Sequence, residues 1–184
     1  MIHNSIIKGN KVQTGDLICT TDGGEGITGK FWFLIGKIIP GEVDHIVVYI
    51  GPGTKCIEAG PNGVIAFDAD PNWNGAEMAD TRGFIDSFYG IANPASKADL
   101  DKEMEESIRE KVANYCIEQA NLKKPYNIFF PNSDTENSFY CSHLAYKAYL
   151  PHGIDLNTDK DVPNVPFTSS IIFPQEIWSS YGIK

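Results

Sequence analysis

The sequence lacks the features that mark metal, membrane and nucleic-acid proteins. Its four cysteines form no Cys-x-x-Cys pair and have no histidine at metal-ligand spacing, so no zinc site is expected. The longest apolar run, residues 31–39, is interrupted by Lys37 and is too short to cross a bilayer. The formal net charge is −9 at pH 7, whereas nucleic acids and anionic lipids select basic surfaces. We therefore expect no metal, no cofactor, no nucleic-acid partner and no stable membrane insertion.

The N-terminal segment, residues 1–8, also lacks the apolar core of a secretory signal peptide. Its absence favours a cytoplasmic protein with reduced thiols. A chain of 184 residues with 42% hydrophobic and 11% aromatic content is typical of one globular domain. We expect that domain to span residues 1–184 and to bury a core without disulfides. The sequence does not indicate an oligomeric state.

One stretch, residues 138–150, has both a helix start signal and a helix stop signal. Asn137 or Ser138 can cap the N-terminus, and Pro151 cannot continue the helix. Cys141 then falls in the first turn, where free backbone N–H groups and the helix dipole favour an anion. A thiol at this position can become a thiolate near neutral pH.

The helix face that carries Cys141 is apolar. Its members at helical spacing are Leu144, Ala145 and Ala148. The sulfur is therefore expected to point toward the protein, as a nucleophilic thiol requires. The alternative is a small buried hydrophobe, which is the commoner role of a cysteine.

Four histidines could serve this thiol, and helix geometry favours His45. His143 lies two positions after Cys141, about 200° around the helix. His152 lies beyond the helix end, roughly 16 Å along the axis. His3 belongs to a polar N-terminal segment without an evident anchor.

His45 lies on the first strand of a predicted hairpin. A turn centred on Pro52-Gly53 places Val47 opposite Glu58 on the second strand. His45 is then diagonal to Glu58 on the same sheet face, within reach of long side chains. A shift of one residue would remove this contact. The alternative is a solvent-facing imidazole and an unrelated surface carboxylate.

The remaining elements follow from periodicity and from Gly and Pro. Strands are predicted after Gly15 and at residues 42–50, 55–60, 63–67 and 84–92, helices at 30–38 and 99–120, and a closing strand and short helix within 167–184. Residues 61–80 are otherwise interpreted as loop. Ser96 and Asp99 could form a capping box. The glycine-rich segment 24–30 matches most of the phosphate-binding P-loop motif. Phe31, however, occupies the position where that motif has a Ser or Thr to bind Mg²⁺, so we expect no nucleotide to bind here.

Five short motifs in this order resemble the NlpC/P60 superfamily of papain-like thiol enzymes. The resemblance is strongest to the circularly permuted YiiX/YaeF-like branch, which is related to lecithin–retinol acyltransferase. The motifs are Thr14-Gly15-Asp16-Leu17, the strand from Asp44 to Gly51, Ile57-Glu58-Ala59, Pro125-Tyr126-Asn127 and Phe139-Tyr140-Cys141-Ser142. They cover roughly residues 14 to 156. His45 and Glu58 precede Cys141, as the permuted branch requires.

The resemblance implies an α+β, circularly permuted papain-like fold with a mostly antiparallel sheet packed against the Cys141 helix. It implies Cys141 as nucleophile, His45 as base, Glu58 as the residue that orients His45, and Tyr126 as a contributor to oxyanion binding. Relatives often have Glu where this chain has His143, a difference on the side away from the sulfur.

The function expected from this resemblance is a cysteine peptidase or amidase acting on a peptide or peptidoglycan-fragment amide. One alternative is an acyltransferase or acyl-lipid hydrolase, with residues 31–39 as an apolar wall. Another is a non-catalytic binding module. The expected partner is thus a small peptide, another amino-acid-containing molecule or an acyl substrate.

Overall fold

Seven strands and four α-helices make up the described part of the computed structural model, which covers residues 1–21, 40–163 and 168–183. The strands are β1 (Asn4–Ile7), β2 (Asn10–Gln13), β3 (Leu17–Thr21), β4 (His45–Tyr49), β5 (Lys55–Gly60), β6 (Gly63–Asp68) and β7 (Ser87–Ala92). The helices are α1 (Gly75–Arg82), α2 (Lys102–Asn121), α3 (Cys141–Tyr149) and α4 (Pro174–Tyr181), and a 3₁₀ turn, Leu150–His152, follows α3.

Five strands form one antiparallel sheet in the spatial order β6-β5-β4-β3-β7, and β1 pairs with β2 in a separate hairpin. Side chains alternate between the two faces of the sheet. One face, with Ile46 and Val48, packs in the same core as α2 and α3. The other face, with Val47 and Tyr49, packs against the β1–β2 hairpin and α1. Both faces of β4 are therefore buried, which explains its continuous β-branched run.

The register between β4 and β5 is the one predicted from the sequence. Val48 pairs with Ile57 and Tyr49 pairs with Cys56, so Val47 falls opposite Glu58. The hairpin turn is closed by N–H groups of residues 50 and 51, which both donate to the Lys55 carbonyl. This register brings His45 and Glu58 to the same face.

Helix α3 begins at Cys141, three residues later than the predicted start at Ser138. Its N-cap is Tyr140, in extended conformation and without a side-chain cap, and neither Asn137 nor Ser138 fills that role. The reason is the preceding backbone: Phe139 bridges to Tyr126 and remains extended. The later start places Cys141 at the first helical position.

Helix α2 begins at Lys102, and the predicted start at Asp99 and its capping box are wrong. Asp99 has a positive φ of 50°, which is not helical. Asp101 is the N-cap instead, and its side chain accepts the Met104 N–H at 2.8 Å. Ser96 donates to Glu105 on the first turns of the helix.

Two elements were not predicted. Helix α1 lies within residues 61–80 and just beyond them, a stretch interpreted as loop, and the β1–β2 hairpin lies in the polar N-terminal segment. His3, which seemed unanchored in sequence, pairs with Thr14 through its backbone: its N–H donates to the Thr14 hydroxyl at 2.8 Å. Near the C-terminus a helix forms as predicted, but the described residues contain only an isolated bridge, Ala92–Gly182, where a closing strand was expected.

The predicted helix at residues 30–38, the glycine-rich segment 24–30 and the apolar wall at 31–39 lie outside the described residues. Among the helices that the structure does describe, none is both long and apolar enough to span a bilayer. Within the same ranges, no group of three side chains could hold a metal ion.

Candidate active site

Cys141 lies at the start of α3, with its sulfur in the protein interior. The residue is only 4% exposed and belongs to the core cluster that includes Leu144 and Ala145. The residues on either side bind the backbone of the same residue: the Tyr140 hydroxyl accepts the Ile172 N–H at 3.0 Å, and the Ser142 hydroxyl donates to the Ile172 carbonyl at 2.7 Å. The backbone at Cys141 is thus fixed from both sides.

His45, the first residue of β4, connects Cys141 with Glu58. Its Nε2–H donates to Glu58 Oε2 at 2.8 Å, and both side chains are buried. The Cys141 sulfur lies near the same ring and interacts with it electrostatically. Since Nε2 is used by Glu58, Nδ1 is the nitrogen that faces the sulfur. The structure therefore brings together the three residues that the sequence singled out.

The imidazole of His45 is held in its charged form. Burial alone would disfavour the charge, but the negative charge of the Cys141 sulfur and the Glu58 carboxylate outweigh it and raise the pKa of His45 to about 10. A ring with this pKa is an imidazolium at neutral pH. It can pair with a thiolate and later release a proton to a leaving group.

Glu58 stays ionised despite complete burial. Burial acts to raise its pKa, but the charge of Arg82 and the hydrogen bond from His45 hold the pKa of the carboxyl below its usual range. A buried carboxylate of this kind fixes the tautomer and the orientation of the imidazole.

Arg82 is the functional-site residue that sequence reasoning missed. It is the last residue of α1 and is fully buried, and it donates to Glu58 through Nε and Nη2 and to Asp86 through Nη1 and Nη2. The guanidinium lies 4.4 Å from the centre of the Phe84 ring. No periodic pattern marks residues 75–82, and arginine is usually exposed, so the sequence offered no signal.

Tyr126 lies beside the segment that leads into α3. It bridges in parallel to Phe139, whose carbonyl accepts the Asn127 N–H at 2.9 Å and whose N–H donates to Pro125 at 3.1 Å. Burial first, and the charge of the Cys141 sulfur second, raise the pKa of Tyr126. The phenol therefore keeps its proton at neutral pH and is a hydrogen-bond donor near the sulfur.

The other three cysteines lie in the core without a histidine partner. Cys19, Cys56 and Cys116 are fully buried and form no disulfide. Burial raises the pKa of each thiol, to about 12 for Cys116. Thiols in this environment are inert toward alkylation at neutral pH.

His143 has a packing role. Its ring is buried between Phe139 and Tyr140, and its Nε2–H donates to the Ser133 carbonyl at 2.8 Å. Burial lowers the pKa of His143 to about 4, so the ring is neutral at physiological pH. It supports the loop before α3 and does not pair with Cys141.

A thiol at a helix N-terminus, an imidazole near it and a carboxylate bonded to one ring nitrogen are typical of papain-like thiol enzymes. A family model described as "permuted papain-like amidase enzyme, YaeF/YiiX" matches residues 11–180, and the chain belongs to this family. Comparison with curated proteins and with solved structures gave no match. The α+β fold predicted from the sequence is confirmed: the antiparallel sheet packs against the Cys141 helix. The protein is thus a cysteine hydrolase or amidase in the general sense.

Proposed function

We propose that this protein hydrolyses an amide bond with a triad of Cys141, His45 and Glu58. The observation that carries the proposal is the 2.8 Å contact between His45 Nε2 and Glu58 Oε2, on a ring that also interacts electrostatically with the Cys141 sulfur. A protonated imidazole between an ionised carboxylate and a thiol at a helix start is an arrangement suited to thiolate attack.

The first step is attack of the Cys141 sulfur on the amide carbonyl carbon. A carbon–sulfur bond forms and the carbonyl electrons move to oxygen, which becomes an oxyanion. The backbone N–H of Cys141 is free at the helix start and is a donor for this oxyanion. The Tyr126 hydroxyl, which stays protonated, is the second proposed donor.

Collapse of this intermediate breaks the carbon–nitrogen bond and leaves a thioester on Cys141. His45 gives its proton to the departing amine, and the neutral ring then takes a proton from the water that hydrolyses the thioester. Glu58 keeps Nε2 in its protonated form throughout, so that Nδ1 exchanges the protons.

The proposed substrate is a peptide or a peptidoglycan-derived fragment. Support comes from the amidase character of the family and from the motifs around His45, Glu58 and Cys141 that resemble the NlpC/P60 superfamily. We retain the relationship to that superfamily, and to lecithin–retinol acyltransferase, as part of this proposal.

A second candidate, an acyltransferase or acyl-lipid hydrolase, is favoured by one surface feature. Ile128 and Phe129 are 71% and 65% exposed on the loop that begins directly after Tyr126. Two large apolar side chains on such a loop could contact the acyl chain of a substrate. The same triad would serve, with an ester or thioester in place of the amide.

The test is a substrate panel with purified protein, in which peptide amides are compared with short-chain and long-chain acyl esters. We expect release of amine from at least one peptide amide, and a loss of about 10³-fold or more in Cys141→Ser. Cys116→Ser is the matched control, because its thiol lies in the core away from any base, and it should retain activity per folded molecule.

Two other outcomes of the substrate panel would favour one of the alternative functions. Turnover of long-chain esters alone, also lost in Cys141→Ser, would favour the acyl-directed candidate. Binding of peptides without turnover of any amide or ester would favour a non-catalytic module and contradict the proposal.

A further inference from the structure

The guanidinium of Arg82 holds the Glu58 carboxylate by both of its oxygens. Arg82 Nε lies 3.0 Å from Oε1, and Nη2 lies 2.7 Å from Oε2, which is the oxygen that also accepts from His45. This fork-to-fork geometry fixes the plane of the carboxylate as well as its position. A free glutamate carboxyl, by contrast, rotates broadly about its terminal torsion.

A second carboxylate holds the guanidinium from the opposite side. Asp86 accepts from Arg82 Nη1 at 2.7 Å and from Nη2 at 2.8 Å, and its Oδ1 also accepts the Trp73 indole N–H at 3.0 Å. Arg82 is thus fixed by Asp86, and Glu58 is fixed by Arg82. All these polar side chains are buried, so water does not substitute for a missing partner.

The charged groups alternate in sign along this chain of contacts. They run from Asp86 through Arg82 and Glu58 to His45, whose ring lies near the Cys141 sulfur. Two buried carboxylates this close would otherwise repel each other, and one would take up a proton. The single guanidinium between them keeps both ionised, and it holds the pKa values of Glu58 and Asp86 below their usual range against the effect of burial.

We propose that Arg82 is a positioning residue of the active site, which aims Glu58 Oε2 at His45 and keeps that carboxylate charged. This inference rests on the proposed function of the triad and deepens it. Arg82 touches neither the sulfur nor the substrate, so it acts through Glu58. Its contacts exceed what packing alone requires, because three of its donor contacts go to the one carboxylate that supports His45.

Four groups near Glu58 bear on a pH test of this proposal. His45 faces it from β4, Arg82 from α1, and Asp86 lies beyond Arg82 in the segment before β7. Cys56, on the same strand as Glu58, is neutral because burial raises its pKa. Among these four groups, Arg82 is the only cation other than His45 itself, so replacement of its guanidinium changes how Glu58 is held toward His45.

The experiment measures the rate at which iodoacetamide alkylates Cys141 between pH 4 and 9, which requires no substrate. We expect Arg82→Lys to slow alkylation at pH 5 by about tenfold or more and to move the acid limb of the profile to higher pH. Lysine keeps the charge but not the fork, so Glu58 is less well placed to hold His45 protonated. The pH profile of kcat/KM on the best substrate should move in the same direction.

Arg109→Lys is the matched control. Arg109 is another fully buried arginine, bonded to Asp16 at 2.6 Å and to Glu105 at 2.8 Å, and it contacts no triad residue. Its replacement should leave the alkylation profile of the folded protein unchanged. An acid limb that is the same in Arg82→Lys as in the wild type, or that moves equally in Arg109→Lys, would overturn the proposal.

Asp86→Asn is the second variant, since Arg82→Lys could fail to fold. Asn keeps one oxygen that can accept from Arg82 but loses the charge, so Arg82 holds Glu58 less firmly and the acid limb should move to higher pH, by less than in Arg82→Lys. Loss of a negative charge without any effect on positioning would move the acid limb to lower pH or leave it in place, and either result in folded Asp86→Asn would contradict the proposal.

Failure of this inference and failure of the proposed function give different results. If Arg82 has no positioning role, wild-type and Arg82→Lys profiles coincide while Cys141→Ser still abolishes turnover. If the proposed function is wrong, no amide is cleaved by the wild type.

Discussion

At the scale of single residues, the site depends on how one imidazole is charged from two sides. Glu58 accepts a hydrogen bond from one ring nitrogen, the Cys141 sulfur interacts electrostatically with the ring, and both raise the pKa of His45. A preformed ion pair of this kind needs less help from a base in the attack step than a serine hydroxyl does. Its main requirement is a stable imidazolium. We therefore expect activity to be sensitive to loss of the Glu58 carboxylate.

Replacement of Glu58 tests that dependence. Glu58→Gln keeps the shape and one acceptor oxygen, and Glu58→Ala removes both oxygens. We expect kcat/KM to fall in the order wild type, Gln, Ala, by less than the roughly 10⁴ that such a carboxylate contributes in serine triads. Cys141→Ala and His45→Ala should be lower still. Unchanged kcat/KM in a folded Glu58→Ala protein would mean that another group orients His45.

The residues of the proposed triad could be selected from the sequence, but Arg82, which supports Glu58, could not. His45 followed from helix geometry around Cys141, and Glu58 followed from a hairpin register that the structure confirms. Both inferences rest on local periodicity. Arg82 depends on a contact between α1 and β5, across 24 positions of chain, and no local pattern encodes it.

At the scale of elements, the start of α3 is held by the backbone of Ile172, a residue in the segment just before α4. Tyr140 and Ser142, which flank Cys141, bind the N–H and the carbonyl of Ile172 respectively. Helix α3 has no side-chain cap at its N-terminus. These two hydrogen bonds therefore fix the position of its first turn relative to Ile172. They also connect the nucleophile helix to α4.

Removal of this attachment should lower both stability and activity. We expect Ser142→Ala to cost about 1–2 kcal/mol of unfolding free energy, because the Ile172 carbonyl loses its buried donor. Ser107→Ala, an exposed serine on α2, is the control and should change stability by less than about 0.5 kcal/mol. Urea unfolding measures the unfolding free energy of both variants.

A double-mutant cycle extends the measurement. Since Tyr140→Phe releases the N–H of the same residue, Ile172, its effect and that of Ser142→Ala should not be additive. Additive losses would show that the two hydrogen bonds act independently and that Ile172 does not join them.

Sequence patterns predicted which helices and strands are present more reliably than where each one begins and ends. The start of α3 was placed three residues too early because the bridge between Tyr126 and Phe139, which keeps the chain extended, is a tertiary contact. Helix α1 was missed because its exposed residues are polar and its buried residues include Gly75 and Arg82. In such a short helix, tertiary packing outweighs intrinsic propensity.

At the scale of the whole molecule, the Thr14-Gly15-Asp16 motif has a structural role. Asp16 forms a buried ion pair with Arg109 of α2 at 2.6 Å, and the Gly15 carbonyl accepts the Tyr149 hydroxyl of α3 at 2.7 Å. The motif thus joins the start of β3 to α2 and α3, the two helices that pack against one face of the sheet. Its position in the sequence was recognisable from the family resemblance, but its partners were not.

The permuted order of the chain is compatible with this arrangement because the sheet and helices meet through long-range contacts. The β4–β5 hairpin, with His45 and Glu58, precedes α3 in sequence, yet α3 packs against both strands. A family resemblance could predict this order, whereas helix geometry selected His45 only by excluding the other three histidines.

The most direct test of the central claim is competitive alkylation of all four cysteines, mapped by mass spectrometry in the folded protein. We expect iodoacetamide at pH 6 to modify Cys141 at least about 100-fold faster than Cys19, Cys56 or Cys116, because only Cys141 has an imidazolium partner. In His45→Ala, with the fold intact, that preference should fall sharply at pH 6 and recover in part at alkaline pH. Preferential modification of Cys19 or Cys56, or an unchanged rate for Cys141 in His45→Ala, would contradict the assignment of Cys141 as an activated nucleophile.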